Sequence, residues 1–199
     1  MTTPDSPQQF WNAHYGREPQ IWSGNPNAAL VRETAELTPG RALDLGSGEG
    51  ADAVWLAGRG WRVTAVDVSD TALDRAKGHA DAAAVADRIE WQQTDLGADF
   101  PAGEFDLVSA FFLHVPALES ILTASVAATA PGGTLLVVGH APDGVHHHHP
   151  VELMGAAELL ALLRLGDGWT VDTAADIAQS PGGRVDAVVR ARRALLPAE

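Results

Sequence analysis

No cysteine occurs among the 199 residues, which excludes disulfides and thiolate metal centres. Lysine is almost missing as well: Lys77 stands alone, and 13 Lys+Arg against 26 Asp+Glu give a formal net charge of −13. So acidic a surface repels phosphate backbones, and a nucleic-acid partner is not expected. Nowhere do about 18 apolar residues run together, so no membrane span or membrane partner is expected. Met1 to Phe10 is polar and has no basic-then-apolar leader, so a cytoplasmic protein is the expectation. Internal repeats are absent too, and the length suits one domain over 1–199.

What the chain has is glycine, and the cluster that organises it is Arg41-Ala42-Leu43-Asp44-Leu45-Gly46-Ser47-Gly48-Glu49-Gly50. A short apolar strand enters a glycine turn, and Ala51 onward reads as a helix. Strand, glycine turn and helix in that order build a nucleotide pocket at the carboxyl end of the first strand of an open α/β sheet. Glycine lets the backbone approach a ligand and accepts positive φ. Two ligands compete for such a turn. A dinucleotide site uses G-x-G-x-x-G with a pyrophosphate on the helix N-terminus. Here the spacing is Gly46, Gly48, Gly50, with Ala51 in the sixth place. Asp44, two residues before the first glycine, would repel a pyrophosphate but complements an ammonium or sulfonium.

In these residues the stretch resembles the first motif of the class I S-adenosylmethionine-dependent methyltransferases. The resemblance implies S-adenosylmethionine as cofactor, S-adenosylhomocysteine as product, and Gly46, Ser47, Gly48 and Gly50 as cofactor contacts with Asp44. Trp61 to Val66 reads as a second strand ending in Asp67, where a carboxylate can accept from both ribose hydroxyls. Val68 would then pack on the adenine, and Ser69 caps a helix over Thr71 to Ala86. Arg88 to Gln93 is a third strand. By the resemblance, Asp95 after it takes the adenine amino group and Leu96 packs on the ring. Glu104 to Phe111 is a fourth strand whose Phe105-Asp106-Leu107-Val108-Ser109-Ala110-Phe111 resembles the family's fourth motif, adding Ala110 and Phe111 to the cofactor set.

Acceptor pockets of this architecture lie at strand carboxyl ends, which singles out His114 after the fourth strand and His140 after the fifth. Either imidazole can take a proton from an acceptor near neutral pH; the bland alternative is a histidine that only binds its own loop. Pro116 is expected to open a helix to about Ala130, and Pro131-Gly132-Gly133 to form a tight turn into the fifth strand. The run His146 to His149 admits three readings: a loop, a flap over the acceptor, or a metal site. Adjacent residues in extended chain point to opposite sides, so no metal is expected there.

At the start of the chain, Gln8 to Tyr15 reads as a helix with Trp11 and Tyr15 on one face. With Trp22 it forms a segment, 1–27, that either caps the cofactor or simply packs. The block Trp11 through Asn27 resembles small bacterial methyltransferases near the tellurite-resistance and thiopurine groups. Asn25 is the expected cap of a helix with Pro26 at its first position, running to about Leu37. At the other end a helix over Glu152 to Leu165 precedes two strands, Gly168 to Ile177 and Gly183 to Arg192, joined as a hairpin.

The fold expected is therefore α/β and Rossmann-like, with a core over 41–193. Its seven-stranded sheet is mostly parallel with an antiparallel C-terminal strand, and helices cover both faces. The expected activity is methyl transfer to a small-molecule acceptor by a monomer or homodimer. An NAD-dependent oxidoreductase and a non-catalytic cofactor- or metal-binding protein stand as alternatives.

Overall fold

A computed structural model describes residues 6–142, 153–179 and 183–195. The strands form one sheet in the order β3-β2-β1-β4-β5-β7-β6, and the residues gather into two compact units, Met1–Pro101 and Ala102–Glu199.

The first unit opens with α1 (Pro7–Tyr15), capped where the Ser6 hydroxyl accepts the Gln9 N–H. Next comes α2 (Ala28–Thr34), and its cap is Asn27, not Asn25. The Asn27 carboxamide oxygen accepts the Ala29 N–H at 2.9 Å, which leaves Pro26 before the cap and not inside the helix. Then follow β1 (Arg41–Leu45), α3 (Ala51–Gly58), β2 (Arg62–Asp67), α4 (Asp70–Ala82) and β3 (Ile89–Gln93). β1 pairs with β2 and β2 with β3, both in parallel. These strands bury Leu43, Leu45, Val63 and Val66, a near-continuous apolar run of the kind a parallel sheet covered on both faces requires.

Helix α4 is capped by Ser69 as expected but begins at Asp70 and stops at Ala82, short of Ala86. Ala84 turns left-handed at φ 55°. The Val85 N–H reaches the Ala80 carbonyl and the Ala84 N–H that of Asp81, a Schellman closure. It drives Val85 into the core. A 3-10 turn, Ala86–Arg88, leads into β3.

The second unit contains β4 (Phe105–Phe111), α5 (Leu118–Ala128), β5 (Thr129–His140), α6 (Ala156–Leu163), β6 (Trp169–Ala178) and β7 (Val185–Arg193). β4 and β5 are parallel; β7 runs antiparallel between β5 and β6. Pro131-Gly132-Gly133 lies within β5 as an irregularity and does not form a turn before it. The register slips between Phe105 and Leu107, Gly132 has φ +80°, and a Cβ on Gly133 would stand 2.8 Å from the Ala130 carbonyl oxygen. The bulge absorbs residues that a regular ladder could not pair. Helix α5 begins at Leu118, not Pro116. Helix α6 begins at Ala156 and ends at Leu163, shorter than expected at both ends, with the Glu158 carboxylate accepting the Gly155 N–H. His146 to His149 and Ser180 to Gly182 lie outside the described residues.

Candidate active site

In the first unit the carboxyl ends of β1, β2 and β3 are neighbours by register, so the loops leaving them share one sheet edge. After Leu45, the N–H groups of Gly46 and Ser47 both donate to the Val66 carbonyl, at 2.8 and 2.9 Å. Gly46, Gly48 and Gly50 all have positive φ, 72°, 53° and 82°. Gly50 is also the residue preceding α3, so the turn delivers the helix start directly to the sheet edge.

Asp67, at the tip of β2, holds this turn in place. One carboxylate oxygen accepts the Gly48 N–H and the other the Ser69 N–H, each at 2.8 Å. Burial pushes its carboxyl above the usual range, while the N–H groups of Ser69, Gly48 and Val68 pull the other way. Half-buried Val68 follows, its carbonyl accepting from the Gln93 amide at 3.1 Å. The Asp67 carbonyl accepts the Thr94 N–H, which ties the third tip to the second. Asp95 there is exposed and accepts the N–H of Gly97, with Leu96 half-buried beside it. Asp44 sits inside β1, 2% exposed.

Sequence reasoning missed the residues that bind the N-terminal segment to this turn. Glu49, 4% exposed, accepts the N–H groups of Ile21 and Trp22 and pairs with Arg75 at 2.7 Å. Burial disfavours its ionised form, yet the Trp22 N–H, the Arg75 guanidinium and the Ile21 N–H together hold its carboxyl below the ordinary range. Arg75 also donates to the carbonyls of Tyr15 and Glu18. In consequence the Tyr15 hydroxyl stands over Gly48: a Cβ there would lie 2.8 Å from it. The Trp22 indole N–H donates to that hydroxyl at 3.4 Å, and Trp22 as a whole is 54% exposed. A contact from position 49 to positions 21, 22 and 75 leaves no local pattern. Only the dense aromatics of 10–22 hinted at it.

The second unit brings together different groups. Ala110 and Phe111 are buried in β4. Phe112 then adopts φ 50°, rare for a bulky residue, and its N–H donates to the Val138 carbonyl. That turn stacks its ring on His140 at 4.3 Å between centroids, and His114 stacks on His140 at 5.5 Å. The two histidines thus lie side by side. They line an apolar cavity of about 40 Å³ with Phe112, Leu118, Met154 and Leu159, room for about three water molecules. Among the described residues no group of three or more His, Cys, Asp or Glu could hold a metal ion, and no helix is long and apolar enough to cross a membrane.

A family model described as a methyltransferase domain matches residues 42–133. The ubiquinone biosynthesis O-methyltransferase of Xanthomonas euvesicatoria pv. vesicatoria is 30% identical over 180 residues, covering 78% of this chain and 74% of that protein. The tRNA 5-carboxymethoxyuridine methyltransferase of Escherichia coli K12 is 32% identical over 129 residues, 61% of this chain and 49% of its own. Other curated methyltransferases match over 28% and 47% of their lengths, so the chain spans about half the length of several relatives. Among solved structures, the N-methyltransferase NodS of Bradyrhizobium japonicum WM9 with S-adenosyl-L-homocysteine superposes with a TM-score of 0.71. It is 21% identical, over 92% of this chain and 97% of that one.

Proposed function

Since the chain belongs to the class I S-adenosylmethionine-dependent methyltransferases, we propose that it transfers a methyl group from S-adenosylmethionine to a small-molecule acceptor. The observation that carries this reading is the charge around the glycine turn. Asp44, Glu49, Asp52 and Asp67 lie in or beside it, and Arg75 is committed to Glu49. A pyrophosphate would meet these acids at a cost, whereas a cationic, phosphate-free nucleoside is complemented by them. The dinucleotide alternative therefore finds no support in the site.

When bound, S-adenosylmethionine supplies a methyl group already activated on sulfur, so the chain's own task is alignment. Gly46, Ser47, Gly48 and Gly50 let the backbone come close. Asp67 receives the ribose hydroxyls on the lone pairs left over from the Gly48 and Ser69 N–H groups. Val68 and Leu96 flank the adenine, Asp95 accepts from its amino group, and Trp22 borders the site; the family resemblance adds Ala110 and Phe111. His114 and His140 are the groups offered to an acceptor.

Titration calorimetry tests the core of this. S-adenosylmethionine and S-adenosylhomocysteine are expected to bind with dissociation constants near micromolar, about −8 kcal/mol. Asp67→Asn should weaken both at least about tenfold, roughly 1.4 kcal/mol. NADH should give no heat. Absence of heat with both adenosyl ligands would reject the reading.

A further inference from the structure

We propose that Asp186 positions His140 as the general base of the reaction, and that the acceptor is a compact molecule presenting a weakly acidic hydroxyl, a phenol or enol. This rests on the methyl-transfer reading above. The placement is dictated by strand register: His140 ends β5, Asp186 is the second residue of β7, and the two are direct antiparallel partners. Side chains opposite one another in such a pair stand about 5 Å apart at Cβ. The Asp186 carboxylate is 1% exposed, and its Oδ1 lies 3.7 Å from His140 Nδ1. That is ion-pair range, and contacts of this kind commonly tighten when an active site fills.

The carboxylate is itself held fast. Gln179 Nε2 donates to Oδ2 at 2.6 Å, and Arg184 Nε donates to Oδ1 at 3.0 Å. The Arg184 guanidinium also lies over the Phe112 ring, 5.1 Å from its centroid, and Phe112 stacks on His140. One buried acid thus borders the imidazole edge at 3.7 Å while Phe112 stacks on its face. Among the described residues, Asp186, Arg184 beyond it and His114 beside it are charged or titratable groups near His140.

An anion facing Nδ1 favours the tautomer with its proton there, leaving Nε2 as the acceptor nitrogen. The His140 ring lines the apolar cavity, so a hydroxyl entering that cavity meets a base in a poorly hydrated setting. The step balances. The acceptor oxygen bonds to the methyl carbon as the carbon–sulfur bond breaks, and the hydroxyl proton passes to Nε2. The products are a methyl ether, a neutral thioether and an imidazolium paired with Asp186. An acceptor whose nucleophilic atom carries no proton would leave this arrangement without a task.

The test uses the full chain. Nitrogen-15 NMR of the histidines, with His140→Gln for assignment, should show His140 as the Nδ1–H tautomer in wild type. In Asp186→Asn it should shift toward Nε2–H, since the asparagine amide can donate. An unchanged tautomer, or an Nε2–H tautomer in wild type, overturns the positioning role, because a carboxylate that merely closes the β6–β7 end would not set it. Rates are read on phenol and on 4-nitrophenol in mildly alkaline buffer. Phenol stays protonated there, with a pKa of about 10, whereas 4-nitrophenol is mostly ionised and needs no base. Asp186→Asn should slow phenol methylation about a hundredfold and 4-nitrophenol far less, with S-adenosylmethionine affinity unchanged. Equal losses on both, or no methyl ether from either with wild type, overturn the proposal. If Asp186→Asn does not fold, His140→Gln carries the same rate comparison. Failure of wild type to bind S-adenosylmethionine sinks the underlying reading instead, and the tautomer still reports on the pair.

Discussion

A methyl group on Gly50 would stand 2.7 Å from both Ala76 Cβ and the far edge of the Trp91 ring, at a φ of +82°. Ala76 cannot yield, since it is fully buried in α4 and its Cα is only 3.3 Å away. Gly50→Ala should therefore cost about 2–4 kcal/mol, left-handed strain and overpacking together, visible as a drop in denaturation midpoint. Gly48 is a different case. There the added methyl meets the tip of Tyr15 at a φ of +53°, so Gly48→Ala should carry left-handed strain of about 1–2 kcal/mol and also weaken S-adenosylmethionine about tenfold or more by calorimetry. Asp52, two residues into α3, titrates unusually. Burial pushes its carboxyl up to about 6 against the pull of the Asn27 N–H, which it accepts at 2.6 Å. With its pKa raised on folding, the native state binds more protons than the unfolded chain between about pH 4 and 6. Its contribution is thus full below the unfolded pKa and lost as pH rises through about 6. Asp52→Asn should gain stability relative to wild type at pH 7 compared with pH 5, on the order of 1–2 kcal/mol. Equal differences at the two pH values in urea titrations would contradict this.

Among the elements, the N-terminal segment is a strap whose buckle is Glu49. Replacing one partner of a buried charged hydrogen-bond set leaves the others unsatisfied, at about 1.5–3 kcal/mol. Glu49→Gln should loosen Gly16 to Ser23 selectively, read as faster proteolysis there and faster amide exchange at Ile21 and Trp22, while the amides of β1 and β2 keep their protection. Exchange that rises uniformly would mean that the strap is no separate unit. The strap also shows where sequence reading stops. The β1–turn–α3 unit, Asp67 at the tip of β2 and the antiparallel ending were legible, because each is written locally in glycine spacing or in apolar period. The stop of α4 was not, because alanine holds the left-handed position where glycine is the usual signal. The cap at Asn27 was hidden by a better-looking Asn-Pro pair two residues earlier. Pro131-Gly132-Gly133 has turn chemistry, yet the ladder continues around it as a bulge. The pairings of Glu49 with Arg75 and of His140 with Asp186 span 26 and 46 residues, distances at which no single-sequence pattern survives.

At the scale of the whole molecule, ligand linkage and net charge decide what should be observed. A ligand that binds only the folded chain stabilises it by about 2.7 kcal/mol at a hundredfold excess over its dissociation constant. For a chain of this size that is a rise of about 5–10 °C in Tm. S-adenosylhomocysteine should produce it and NADH should not, a contrast that thermal melts resolve without any acceptor in hand. The charge of −13 bears on the acceptor. A relative carries tRNA in its name, so the polyanion deserves a direct trial. Affinity for a nucleic acid comes mostly from Lys and Arg neutralising phosphates, and each such contact adds about 0.9 to the salt slope on duplex. With 13 basic residues against 26 acidic ones, and Arg32, Arg75, Lys77, Arg164, Arg184, Arg190 and Arg192 each paired with a carboxylate, that term is weak. Filter binding of bulk tRNA should therefore show no saturation at physiological salt, and labelled donor should leave tRNA unlabelled while marking a low-mass fraction of cell extract. A salt-sensitive tRNA complex, with label following the RNA, would transfer the acceptor assignment to nucleic acid.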